Sequence, residues 1–366
     1  MQRPITEPRP GKEAAGSLDV SILSIATANP KYCIDQRDAW EGAKGIFPHL
    51  ARLESLYTNT GIDTRYSCVP PDWCKITHTW EERTEVYQRH AMELLEEVAA
   101  RAVADARLSL ADIDMIVLNT ITGLSIPSLD AKLMNRLNFR STVERLPIFG
   151  LGCGGGVGGL ARAARLARGY PGANILFLTV DLCSLCARPN DASVAMFVSA
   201  ALFADGAAGI VLRAESNPPH SAGMRCPLIK AVGEHCWRNT EHIMGWDIKG
   251  DGFGVVLSPE LPALLRTALR PAIEEFLNRH DLELNGFKGF LLHPGGRKVL
   301  ETAEDALEID RSLVAHSWAV LHDYGNMSSV TSMFVLERAI RARDKGPHLL
   351  AAFGPGFSGY FIALTL

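Results

Sequence analysis

The chain has 366 residues, 47% of them apolar and 21% charged, with a formal net charge of −4. That composition is ordinary for globular proteins and excludes wholesale disorder, and the small charge offers no footprint for nucleic acid or an acidic membrane surface. The longest apolar run, Ala192–Ala204, stops at Asp205, well short of the roughly 20 residues that span a bilayer. Residues 1–17 lack the apolar centre of a secretory signal and read as a disordered tail. A cytoplasmic, soluble protein with no stable membrane insertion is expected.

Strand and helix patterns alternate along the chain, which points to an α/β fold with buried sheets. Val20–Ala26 reads as a strand, followed by weaker helical stretches to about Tyr57. Glu81–Arg107 is a long amphipathic helix, Asp114–Thr120 a buried strand, Ser128–Leu137 a helix and Leu146–Phe149 a strand. Gly154–Arg168 is an alanine-rich helix, Asn174–Val180 a strand, Ser193–Phe203 an apolar helix and Ala208–Leu212 a strand. Asn217-Pro-Pro-His-Ser, then Gly223, marks a linker between halves at 18–216 and 224–366. The second half repeats the theme, with strands at Leu228–Val232, Gly254–Leu257 and Gly289–Leu292 and helices at Pro262–Asn278, Leu313–Leu321 and Val330–Arg341. Strands flank Gly354-Pro-Gly356 at the end. Ala201–Leu212 loosely echoes Ala351–Leu364, so two related halves are expected.

The eight cysteines are scattered, too sparse for a disulfide scaffold. Cys183-Ser-Leu-Cys186 is a CxxC, but no second ligand pair accompanies it, and the redox motif's helix-start context is missing. Small buried residues are the default reading, and no metal site is expected.

Cys153 is the first candidate for chemistry. It lies in Phe149-Gly-Leu-Gly-Cys153-Gly-Gly-Gly, between a strand and a helix, where free N–H groups and the helix dipole favour thiolate. A dinucleotide-binding glycine loop, with Asp181 as its acid, and a merely structural cysteine are the competing readings. His293, in Leu-Leu-His293-Pro-Gly-Gly, ends a buried strand; as imidazolium it would stabilise a thiolate and donate to an oxyanion. Asn326, in Tyr324-Gly-Asn326-Met-Ser-Ser, offers a donor that cannot titrate, or a plain helix cap.

Together, GCGGGVGGLARAARLA, LLHPGGRKVLE, YGNMSS and AFGPG, in that order and spacing, resemble the type III polyketide synthases of the chalcone and stilbene synthase superfamily, from about Val20 to the end. The resemblance implies a thiolase-like αβαβα sandwich of two pseudo-repeated halves, in a homodimer. It makes Cys153 the nucleophile that holds an acyl starter from coenzyme A, with His293 and Asn326 stabilising the enolate left by malonyl-CoA decarboxylation. No cofactor is implied beyond the acyl-CoA and malonyl-CoA substrates. Phe203 matches the gatekeeper phenylalanine. Ile121, Cys186, Ser328 and Pro355 fall on cavity-lining positions, Ile126 on a loop reaching towards the dimer partner, and Lys298 near the CoA mouth.

The chain also departs from the plant pattern. Basic residues for the CoA phosphates are mostly absent around Leu56–Asp63, leaving Arg52, Arg65 and Lys298 as substitutes. The family's second aromatic gatekeeper can be aligned in more than one way on Gly252-Phe-Gly-Val-Val256; a hydrophobic Val255 there, with Phe253 nearby, would open the site. Walls with Ile121 and Cys186, and with Leu124, Ile126 and Leu185 nearby, favour alkyl over compact aromatic starters, and hence an alkylpyrone or alkylresorcinol product. Rival readings are an aromatic product from malonyl-CoA or a short starter, a ketoacyl-ACP synthase, and a non-catalytic interaction protein of the same fold.

Overall fold

The computed structural model describes residues 18–216, 220–221 and 224–366; the expected N-terminal tail and most of the linker lie outside them. Nine strands form one continuous hydrogen-bonded sheet. Its order is Gly289–Leu292, Pro347–Gly354, Ser358–Thr365, Leu228–Cys236, Val20–Ala28, Asp205–Ala214, Ile175–Leu182, Met115–Asn119 and Glu144–Ile148. Within the sheet, the two halves pair where Val20 faces Ile229 and Ser21 faces Leu228.

Either side of that junction the topology repeats. From Val20–Ala28 outwards, the first half runs through two antiparallel pairings and then a parallel one. From Leu228–Cys236 outwards, the second half does the same. The edge strand Glu144–Ile148 has no counterpart in the second half.

Three apolar cores order these elements into five layers. The helices Gly155–Gly169 and Thr331–Ala342 lie between the two half-sheets, sharing one core with strands from both. Trp80–Asp105 and Leu129–Arg136 cover the outer face of the first half. Leu261–Asn278 and Arg297–Leu307 cover the second. The result is the thiolase-like αβαβα sandwich.

Local chemistry explains the elements. Trp80–Asp105 starts at a capping box in which Glu82 N donates to Thr79 Oγ1 and Thr79 N donates to the Glu82 carboxylate. It then buries Leu95, Val98 and Ala102. The central Gly155–Gly169 helix is buried on nearly every side, and its small residues permit that. A Cβ on Gly156 would run into the Ser329 carbonyl of the opposing segment.

The sequence reading missed the Arg297–Leu307 helix, although Leu300, Ala303 and Leu307 give it a buried stripe. It also saw only half of the hairpin Met244–Lys249/Gly252–Leu257. Among the described residues, no helix is long and apolar enough to cross a membrane.

Candidate active site

Cys153 sits in the tight turn Gly152–Gly154 that opens the central Gly155–Gly169 helix. Gly152 adopts φ +53°, and a Cβ there would strike the Pro355 ring, so this close approach of the two halves requires glycine. His293 lies one residue beyond the Gly289–Leu292 strand, its N–H extending the ladder to Ala351 O at 2.8 Å. Asn326 follows the Ala315–Tyr324 helix. Its backbone N–H donates to Leu202 O at 2.9 Å, and its carbonyl accepts from Ala204 N at 2.8 Å. Its Oδ1 accepts from Ser328 N at 2.9 Å and its Nδ2 donates to Gly295 O at 3.1 Å, leaving one amide hydrogen for a ligand.

These three residues line one cavity of about 990 Å³, together with Ile121, Phe203, Lys298, Ser328 and Pro355. Much of the remaining wall is apolar, including Val198, Leu202, Met244, Leu257, Leu265 and Phe353. A second cavity of about 140 Å³ shares Cys183, Phe203 and Val255 with the first.

Two expected wall positions lie elsewhere. Cys186 faces the smaller cavity, its Sγ 3.9 Å from Thr122 O, because the tight turn Cys183–Cys186 aims its first and last side chains differently. Cys183 lines both cavities and was missed, although it belongs to the same CxxC. Ile126 is 97% exposed and is absent from both walls of its own chain. On the hairpin, Val255 lines both cavities, whereas Phe253 is buried against Trp80 and Trp246.

The phosphate substitutes separate too. Arg65 is buried and donates to Ala200 O and Phe203 O at 2.6 and 3.2 Å, so it is not a phosphate ligand. Arg52 is exposed and lies away from the cavity walls, while Arg297 and Lys298 stand on the wall of the large cavity, exposed to solvent. Both thiols of the CxxC are free, and among the described residues no three His, Cys, Asp or Glu side chains gather as a metal-binding group.

Burial governs the electrostatics. It pushes the Cys153 thiol up to about 12, with the Ser328 hydroxyl drawing it back and the Asp181 charge adding to the rise. It lowers His293 to about 4, and neither ring nitrogen has a partner. The expected thiolate–imidazolium pair is therefore replaced by a neutral thiol and a neutral imidazole, since removal from water outweighs the helix dipole. Beneath them Asp181, fully buried, accepts from Ile121 N at 2.9 Å, Ser329 N at 3.0 Å and Ser329 Oγ at 2.6 Å. Its place in the sequence suggested a nucleotide-binding acid; in the structure it ties the two halves together under Cys153.

The model of the chalcone and stilbene synthase N-terminal domain matches residues 9–216, and that of the C-terminal domain matches residues 229–360. The chain belongs to this family. The synthase is 36% identical, over 94% of its length and 92% of the relative's, to 1,3,6,8-tetrahydroxynaphthalene synthase of Streptomyces peucetius subsp. caesius. It is 31% identical to phloroglucinol synthase of Pseudomonas fluorescens, over 90% and 94% of the two chains. It is 28% identical to the alpha-pyrone synthesis polyketide synthase-like Pks18 of Mycobacterium tuberculosis, over 92% and 88%. The crystal structure of 1,3,6,8-tetrahydroxynaphthalene synthase from Streptomyces coelicolor A3(2), a bacterial type III polyketide synthase, superposes with a TM-score of 0.88 at 30% identity, covering 94% and 99% of the two chains. PKS-I of the brown alga Ectocarpus siliculosus superposes equally well, with a TM-score of 0.88 at 27% identity over 96% and 100%. The protein is a type III polyketide synthase, an acyl-transferring condensing enzyme.

Proposed function

We propose that this synthase takes an alkyl acyl group from its CoA thioester onto Cys153, extends it with malonyl-CoA, and releases an alkylpyrone or alkylresorcinol type of product. The observation that carries this reading is the apolar cavity of about 990 Å³ around Cys153, adjoined at Cys183, Phe203 and Val255 by a second of about 140 Å³. The smaller chamber is walled largely by apolar side chains, among them Ile34, Ile46, Phe47 and Met196. At roughly 0.8 kcal/mol per buried methylene, about four methylenes buried against such walls favour the longer chain by roughly 200-fold.

In this mechanism Cys153 Sγ attacks the acyl-CoA carbonyl, neutral His293 takes the thiol proton, and coenzyme A leaves with a proton. Malonyl-CoA then places its thioester oxygen at the His293 imidazole N–H and the free Asn326 Nδ2–H. The bond to the malonyl carboxylate breaks, CO2 departs, and the electron pair forms an enolate held by those two donors, which the apolar walls around them strengthen. The enolate carbon attacks the acyl carbonyl, the C–S bond breaks, and Cys153 leaves as thiolate to be reprotonated. The elongated chain remains on coenzyme A. These steps call for CoA thioesters and no other cofactor.

A second copy of the chain is the expected partner. Leu124, Ile126, Leu146 and Phe149 are exposed apolar side chains, and burying such surface in a homodimer removes it from water. Sedimentation at micromolar concentration tests this.

The substrate test is to offer acyl-CoAs of graded length with labelled malonyl-CoA and weigh the products. Medium and long chains should be preferred; preference for acetyl-CoA or an aromatic starter overturns the reading. A second reading, malonyl-CoA as starter and an aromatic product, is favoured by the 36% identity to a tetrahydroxynaphthalene synthase. Turnover of malonyl-CoA alone, at a rate that added acyl-CoA does not raise, would support it instead.

A further inference from the structure

Arg65 is a buried cation that touches both the Phe203 carbonyl and the turn before Asn326. It lies on the short strand Thr64–Ser67, which pairs with Tyr32–Asp35, far in sequence from Cys153, His293 and Asn326. No described carboxylate pairs with it. Its Nη1 donates instead to Ala200 O at 2.6 Å and Phe203 O at 3.2 Å, the carbonyls at the end of the Val194–Leu202 helix, whose C-cap is Phe203. Those carbonyls carry the negative end of the helix dipole, so a guanidinium is held there without a counterion.

The same segment holds Asn326. Leu202 O accepts from Asn326 N, Ala204 N donates to Asn326 O, and Phe203 and Asn326 form a single parallel bridge. On its other side Arg65 packs against the turn before Asn326: a Cβ built on Gly325, at φ +68°, would lie 3.4 Å from Arg65 Cβ and 3.1 Å from Leu202 O. The neighbouring residues of the strand clamp the same turn, with Thr64 Oγ1 donating to Asp323 O at 2.7 Å and Asp63 N to His322 O at 2.9 Å. A shift of the Phe203 carbonyl is thus transmitted directly to the Asn326 backbone.

We propose that Arg65 is a positioning residue that sets the Phe203 gate and the Asn326 amide as one unit. The inference rests on the reading of Phe203 as gate and Asn326 as oxyanion donor. Lysine keeps the charge but reaches one carbonyl at a time, and methionine keeps the volume without a donor.

The test measures three quantities in Arg65→Met and Arg65→Lys, well below each protein's Tm: CO2 release from malonyl-CoA, condensations per CO2 released, and KM for the acyl-CoA starter. Arg65→Met should lose tenfold or more in CO2 release, uncouple condensation from decarboxylation, and shift the starter KM, with Arg65→Lys partly restoring all three. A purely structural role would lower Tm and the active fraction while leaving the coupling ratio and KM at wild-type values, and that result overturns the proposal. If Arg65→Met does not fold, Arg65→Lys decides alone, wild-type coupling and KM in it counting against the proposal. Asn326→Ala separates the underlying reading: retained CO2 release there removes Asn326 as donor, whereas its loss beside an unaffected Arg65→Met refutes only the role of Arg65.

Discussion

The backbone N–H of Ser328 donates to Oδ1 of Asn326 at 2.9 Å, which commits the amide's oxygen to the protein and its Nδ2 to the cavity side. The intervening Met327, at φ −88° and ψ 31°, folds the chain so that the Ser328 N–H turns back over Asn326. The orientation of the donor is therefore built into the turn.

Asn326→Asp follows from that relationship. The isosteric carboxylate offers no N–H and places negative charge where the enolate forms. CO2 release from malonyl-CoA, measured well below Tm, should fall by about 10²–10³, the usual cost of one oxyanion donor; Tm itself should fall, because the buried carboxylate faces Gly295 O with no hydrogen to donate. Wild-type release would show that Asn326 contacts no developing charge.

Cys153→Ala removes the acyl carrier and leaves both donors. Extension products should vanish while CO2 release persists at a reduced rate. Full-length product from this variant, detected by mass, would remove Cys153 from the mechanism.

The protonation states predict how the thiols react. Cys33 and Cys236 are exposed and should be alkylated by iodoacetamide first at neutral pH. Cys153, raised to about 12 beside a His293 lowered to about 4, should react slowly, about tenfold faster per pH unit through the range where thiol predominates. A flat rate between these two values, the signature of a resting thiolate–imidazolium pair, would contradict the neutral pair.

Asp181 connects charge to stability. Burial holds its carboxyl at about 6, above the ordinary carboxylate value of 3.8, despite its three close donors. A group raised in the native state stabilises at low pH and loses that contribution as pH rises through its native value. The wild type should therefore lose stability relative to Asp181→Asn between about pH 4 and pH 7, by at most about 3 kcal/mol. Parallel urea titrations check this, and a pH-independent difference would show an unshifted carboxyl.

Gly156→Ala tests the contact between the central helices. The added Cβ would meet the Ser329 carbonyl, backbone that cannot swing aside, so a loss of about 1–3 kcal/mol is expected. An unchanged urea midpoint would mean the two helix starts have room to part.

The sequence by itself determined the strand–turn–helix around Cys153, the strand end at His293 and the glycine turn at Asn326. Glycine spacing, helix formers and apolar runs act over a few residues, and here they agree with the fold. The order of those motifs also carried the family and its five-layer architecture. What the tertiary structure decided lies in contacts between residues far apart in the chain. Asp181 and Ser329 are 148 positions apart, and Arg65 and Phe203 are 138. Such contacts turned Arg65 from a phosphate candidate into a buried clamp and sent Cys183, not Cys186, to the catalytic wall. They placed Val255 rather than Phe253 on both cavities: the two share one face of the strand, but Phe253 is covered by Trp80 and Trp246 while Val255 reaches the cavity walls. The protonation of Cys153 and His293 was decided there too: a helix start favours thiolate locally, but the water excluded from both groups is displaced by walls drawn from both halves.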